Sequence, residues 1–239
     1  MVQQLSKTSK ADVVYPERDG NPMSDNTKQF RWIVTIKENL EIIFKDDPNV
    51  FVAGDLLWYA VEGDNKTRQA PDAMVAFGRP KGDSPVERLC QRGFYRQWEE
   101  DNIAPKVVFE ILSPGNRGGE LARKFQFYQR YGVQEYYVYD PDNIDFFGWE
   151  REGNYLEPIE IAEDWTSPCL KVRFVLTPET LEVYRPDGKP FLTPVELQEQ
   201  LQETEQKLNK SEQKLNESES KNARLAERLR ELGIDPADI

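Results

Sequence analysis

Apolar positions along the chain change period several times, and each change marks an element. In FRWIVTIKENLEIIFKDDP, residues 30–48, the apolar residues Phe30, Ile33, Ile36, Leu40 and Ile43 recur at helical spacing, and Pro48 closes the run. VFVAGDLLWYAVEGD and QAPDAMVAFG are β-rich stretches joined by the turn-like EGDNKTR. GRPKGDSPVERLCQRG reads as a long loop and FYRQWEEDN as a helical turn. KVVFEILSPGN, residues 106–116, is a short strand apolar on both faces, stopped by Pro and Gly. ELARKFQFYQRYG predicts a second helix ending at Gly132. EYYVYDPDN, IDFFGWEREGNYLEPI and LKVRFVLTPETLEVYRPDGKP supply further strands with Asp-Pro-Asp and Glu-Gly-Asn turns. Helix, strands, helix, strands is the order of an α+β or α/β-like domain built on a mixed sheet.

The two ends differ from this middle. Residues 1–27 are polar and dotted with proline, which predicts a loose arm ahead of a domain at 28–193. From residue 194 to 239 the pattern becomes a heptad. Leu197, Leu201, Thr204, Leu208, Ser211, Leu215, Ser218, Asn222, Leu225, Leu229 and Leu232 alternate by four and three, and EQKLN occurs twice, seven residues apart. Ser211, Ser218 and Asn222 weaken the middle of the seam. A long lone helix has nothing against which to bury its leucines, so a coiled coil that makes a homo-oligomer through residues 194–233 is the expectation.

Composition narrows the chemistry. The net charge of −12 argues against nonspecific coating of nucleic acid by bulk charge, though not against a local basic groove. Arg117, Arg123 and Arg130, and separately Arg88, Arg92 and Arg96, are ordinary clusters that would suit such a groove. Cys90 and Cys169 lie far apart and form no CxxC pair, which suits a reducing cytoplasm. With no apolar leader and no membrane-length segment, a cytoplasmic protein is expected. The chain has no histidine, so Ser-His-Asp hydrolysis, His general bases and most zinc catalysis are excluded. A hydrolytic mechanism would have to run on carboxylates, lysine and a hard, oxygen-loving cation.

Two acids stand where such chemistry needs them. Glu110 sits inside an apolar strand, where an unpaired charge is costly. Asp72 follows Pro71 and precedes the apolar run Met74, Val75 and Phe77. If neighbouring strands bring the two together, they repel unless a cation lies between them, and one or two carboxylates plus waters are the usual protein share of a Mg²⁺ site. The bland alternatives are a turn-capping role for Asp72 and a protein cation paired with Glu110. Asp55, in AGDLLWY, is a further acid for metal or for a hairpin turn, and Glu38 or Glu41 on the first helix could support the pair.

At these residues the chain resembles a known group. PD followed by a strand with Glu is similar to the PD-(D/E)XK nuclease superfamily. The blocks PDAMVAFG, WEEDNIAPKVVFEILSPGN and LARKFQFYQRYGVQEYYVYDP resemble its Uma-type branch, common in cyanobacteria and described as restriction endonucleases. The likeness covers about residues 30–193, and the terminal segment ending RLRELGIDP also resembles that branch. It implies a restriction-endonuclease-like fold and an Mg²⁺- or Mn²⁺-dependent endonuclease acting on DNA, leaving 5′-phosphate ends. The superfamily lysine position, two residues after the strand acid, holds Leu112 here. The resemblance moves that lysine to Lys124 on the following helix, one turn before Tyr128. A Lys124–Glu120 surface pair is the bland alternative. The implied site is Asp72, Glu110 and the Ile111 carbonyl on the metal, Lys124 as catalytic lysine, and Tyr128 and Asp55 in support. The rival is an inactive nuclease fold that binds or assembles, organised by its coiled coil.

Overall fold

A computed structural model of the chain describes residues 13–16, 24, 26–82, 93–115, 118–160 and 164–231. The chain divides into two compact units, Met1–Phe191 and Leu192–Ile239.

The first unit is built on a six-stranded sheet. Helix α1 (Thr27–Ile43) is capped by Asn26, whose side chain accepts from the Gln29 N–H at 2.8 Å. The strands of the sheet are β1 (Val50–Ala53), β4 (Ala73–Phe77), β6 (Val107–Ile111), β7 (Glu135–Asp140), β8 (Asp145–Glu152) and β9 (Tyr155–Pro158), hydrogen-bonded in that order. All neighbours are antiparallel except β6 and β7, which run parallel with Glu110 opposite Val138. Helix α2 (Gly118–Tyr131) is the crossover that a parallel pair requires, and Gly132, at φ +99°, ends it. Two three-stranded sheets flank the first: β2 (Trp58–Tyr59) with β3 (Arg68–Gln69) and β5 (Tyr95–Arg96), and β10 (Asp164–Thr166) with β11 (Arg173–Leu176) and β12 (Leu181–Tyr184). The fold is α+β.

Alternation along β6 divides the core. Val107, Phe109 and Ile111 pack with Ile33, Ile36 and Leu40 of α1 and with Phe174, Leu181 and Val183 of the β10–β12 sheet. Val108 packs on the opposite side with Phe127 and Tyr128 of α2 and with Trp58. Burying the three α1 side chains contributes roughly 5–9 kcal/mol, without which a 17-residue helix is marginal in water.

Three sequence expectations change. Phe30 is 44% exposed, and Gln29 takes its place on the buried stripe. The run from residue 50 to 64 is two strands, because Asp55 adopts φ +47° and bends the chain after Ala53. FYRQWEEDN is a two-residue strand followed by a 3-10 turn at Gln97–Glu99. Within the expected N-terminal arm, Val13, Val14 and Pro16 are exposed, while the Tyr59 hydroxyl donates to the Pro16 carbonyl at 2.6 Å and the Tyr15 and Tyr59 rings meet edge-on at 5.1 Å. The long loop expected at 78–93, with Cys90, lies largely outside the described residues.

Glu135 is also a buried acid, and its surroundings explain it fully. It accepts from the Tyr137 hydroxyl at 3.0 Å, the Cys169 N–H at 2.6 Å and the Ser167 hydroxyl. These bonds pin the turn before β11 to β7. Burial and then the Glu135 charge push the Cys169 thiol up to about 12, so it stays an unreactive thiol.

The second unit is helix α3 (Pro194–Glu231), 38 residues without a break. Among the described residues, no helix is long and apolar enough to cross a membrane.

Candidate active site

Strand pairing decides where the two acids go. Ala73 lies opposite Phe109 and Met74 opposite Val108 in the antiparallel β4–β6 pair. One step further along this register sets Asp72 against Glu110, on the side of the sheet that faces α2. The Gly54–Asp55 bend holds the approach, because the Asp55 N–H donates to the Pro71 carbonyl at 3.1 Å. Asp72 and Glu110 are both buried, at 8% and 2% exposure.

Every described bond of this pair stays inside the site. The Asp72 Oδ2 atom accepts from the Ile111 N–H at 2.6 Å. Glu110 Oε2 takes the Lys124 Nζ at 2.7 Å, and Oε1 takes the Tyr128 hydroxyl at 2.5 Å. Lys124 and Tyr128 reach one carboxylate because they are four apart on α2. The Lys124 side chain is 14% exposed, and its partner is Glu110 rather than Glu120. The Tyr128 ring is fixed by stacking on Trp58 at 6.2 Å and by Tyr136 at 5.1 Å. Leu112 lines an apolar pocket of about 400 Å³ with Phe125, Phe147 and Trp149, and offers no charge.

Electrostatics follow from this packing. Burial, and then repulsion from Glu110, raises the Asp72 carboxyl well above the ordinary aspartate range; Asp55 adds to the rise, against Lys124 and the Ile111 N–H. Burial also raises Glu110, against the pull of Lys124 and Tyr128. Burial alone would lower the Lys124 ammonium, but Glu110 and Asp72 outweigh it and lift its pKa to about 12. Lys124 is therefore a fixed positive charge at neutral pH.

Two residues at the site were not read from the sequence. Gln29 is buried, and its side-chain amide donates to the Ile111 carbonyl at 2.7 Å. The signal was its spacing, four before Ile33 and seven before Ile36. Tyr136 is also buried, and among the described residues its hydroxyl has no hydrogen-bond partner. Burial and the Glu110 and Asp72 charges push its phenol far upward, which places it within their electrostatic reach.

The other proposed residues are placed differently. Glu38 pairs with Lys37 at 3.1 Å, and Glu41 with Lys37 at 3.6 Å and Lys81 at 3.9 Å. Asp55 is half-buried and acts on Asp72 through its charge. Arg96 bonds Glu99 at 2.8 Å and lies over the Phe94 ring at 4.2 Å, so it serves local packing. Arg123 and Arg130 are exposed on α2, while Arg88, Arg92 and Arg117 lie outside the described residues.

The family model described as "Uma2: Putative restriction endonuclease" matches residues 20–179, more than half of the chain. The chain belongs to the Uma2 family. Among solved structures, this Uma2 chain is similar to a crystal structure titled as a putative nuclease belonging to DUF820, from Anabaena variabilis ATCC 29413. The two share 16% identity and a TM-score of 0.38, over 58% of this chain and 70% of that one. No curated protein matches the chain. Membership in Uma2 supports nuclease function on the coarse scale of the family's description.

Proposed function

We propose that this Uma2 protein is a metal-dependent DNA endonuclease whose cation is held by Asp72, Glu110 and the Ile111 carbonyl. The observation that carries the reading is the buried pair of carboxylates brought together on one side of Ile111, with a charged lysine beside them.

The donor set fits Mg²⁺ or Mn²⁺. It is all hard oxygen, and its acceptor capacity is only partly used. A carboxylate offers about four lone-pair sites and a carbonyl two. Described bonds occupy two on Glu110, one on Asp72 and one on the Ile111 carbonyl. Among the described residues no cluster of three or more Cys, Asp or Glu forms a cage, and Mg²⁺ characteristically uses one or two carboxylates with waters. Once bound, such an ion supplies Lewis acidity and lowers the pKa of a bound water.

The protein's own groups do the rest. Gln29 and the Asp72–Ile111 bond hold the Ile111 peptide in place. Tyr128 orients Glu110. Lys124, charged at neutral pH, faces the charge that develops on the phosphate during in-line attack. Tyr136 packs against Tyr128 and helps fix its ring. Apolar walls from Leu112, Trp58 and Val138 keep the local dielectric low, which strengthens each of these interactions.

A second reading is favoured by one observation: each Glu110 oxygen already accepts a bond from the protein, one from Lys124 and one from Tyr128. On that reading the fold binds DNA without cutting it. Incubation of supercoiled plasmid with wild-type protein separates the two. Nicked and linear products that need Mg²⁺ or Mn²⁺, vanish with chelator and can be resealed by ligase are expected, since resealing needs 5′-phosphate ends. Plasmid that is shifted in a gel yet stays supercoiled with either metal would support the binding module. The proposed partners are thus DNA and a second copy of this chain, joined through the heptad seam.

A further inference from the structure

Helix α3 shows which way a second copy lies. The four-and-three spacing assigns Leu201, Leu208, Leu215, Asn222 and Leu229 to the a positions, and Leu197, Thr204, Ser211, Ser218 and Leu225 to the d positions. The seam lies open in the single chain: Leu201, Leu208, Leu215 and Leu225 are 52%, 58%, 60% and 62% exposed. The flanking positions are sorted by sign. The g positions from the second heptad on are Lys207, Lys214, Lys221 and Arg228, and the e positions through the middle are Glu205, Glu212 and Glu219.

We infer that two copies of α3 form a parallel, in-register coiled coil. In a parallel pair, each g residue meets the e residue five positions on in the partner helix. Lys207 then faces Glu212 and Lys214 faces Glu219, twice over by symmetry, giving four attractive contacts. An antiparallel pair sets g against g and e against e, so basic residues meet basic ones and glutamate meets glutamate through the middle of the seam. A lone Asn at an a position also specifies register, because only the in-register parallel pair sets Asn222 against Asn222. The weak d positions, Thr204, Ser211 and Ser218, leave orientation to these charges.

Orientation has a consequence for function, and that consequence rests on the nuclease reading. A 38-residue helix is roughly 57 Å long, so an antiparallel pair would attach its two catalytic units that far apart. A parallel pair attaches both at the same end, where two sites can act on one stretch of duplex. The second unit then engages at a high effective concentration.

The test reads association, independently of cleavage. Wild type is expected to sediment as a dimer. Lys207→Glu with Lys214→Glu turns all four contacts repulsive and should weaken the dimer on the order of 100-fold. Adding Glu212→Lys and Glu219→Lys to the same chain should restore it. Ser218→Cys should cross-link to its own copy under mild oxidation, judged against wild type with its native cysteines. A monomeric wild type, charge-reversed variants that associate as tightly as wild type, or no cross-link at residue 218 would each overturn the orientation.

Discussion

Asp72→Asn and Glu110→Gln are each expected to abolish Mn²⁺-dependent nicking of plasmid while leaving the circular dichroism spectrum unchanged. Both substitutions keep the shape of the side chain, and in Asp72→Asn the amide oxygen can still accept the Ile111 N–H. What is lost is the charge that holds the cation. Lys124→Ala should cut the rate about 10²–10³-fold, the usual effect of deleting one preorganised charge at a phosphoryl or acyl centre. Rates should be taken at low temperature, where this variant remains folded. A fully active Lys124→Ala protein would remove the lysine from the mechanism, and a cleaving Glu110→Gln protein would remove the acid.

The second large effect is on stability. Lys124→Met strands a buried carboxylate, since only the Tyr128 hydroxyl then remains on Glu110. Breaking one side of a buried ion pair costs about 3 kcal/mol, here roughly 10 °C in melting temperature at pH 8. The pH dependence has a definite sign. The folded Lys124 pKa of about 12 lies above its unfolded value, so the wild-type pair stabilises fully below that unfolded value and fades as pH rises through about 12. In the variant, Glu110 loses its cation and its carboxyl rises further. The defect should therefore shrink as pH falls and Glu110 takes up a proton. Pairing Lys124→Met with Glu110→Gln should recover most of the loss. Equal melting of Lys124→Met and wild type at pH 8 would mean that the ion pair contributes nothing.

The acids were legible because a carboxylate inside an apolar strand needs a reason. Lys124 was implied by the family resemblance, and helical spacing, four residues to the turn, set Tyr128 beside it. Their partner was not settled beforehand, since Glu120 also lies one turn from Lys124; the β6–α2 packing decides for Glu110. Gln29 was hidden by its chemistry. An amide ahead of an apolar stripe reads as solvated, and Phe30, about 100° round the helix, looked like the better core residue. Tyr136 was hidden because a tyrosine-rich strand gives no sign of which hydroxyl lacks a partner. Strand β10 escaped because three residues, Asp164–Thr166, carry too little alternation to be seen. The contacts of Tyr15 and Pro16 with Tyr59 escaped because they join segments more than forty residues apart.

Calorimetric titration of Mn²⁺ into wild type and Glu110→Gln at pH 8 tests the central claim most directly. The account predicts one ion per wild-type chain. It also predicts a rise in stability of about 2.7 kcal/mol at 100 times the dissociation constant. Glu110→Gln should lose at least 100-fold in affinity and nearly all of that rise. Equal Mn²⁺ binding by the two proteins would contradict it, leaving Glu110 as the structural partner of Lys124 and nothing more.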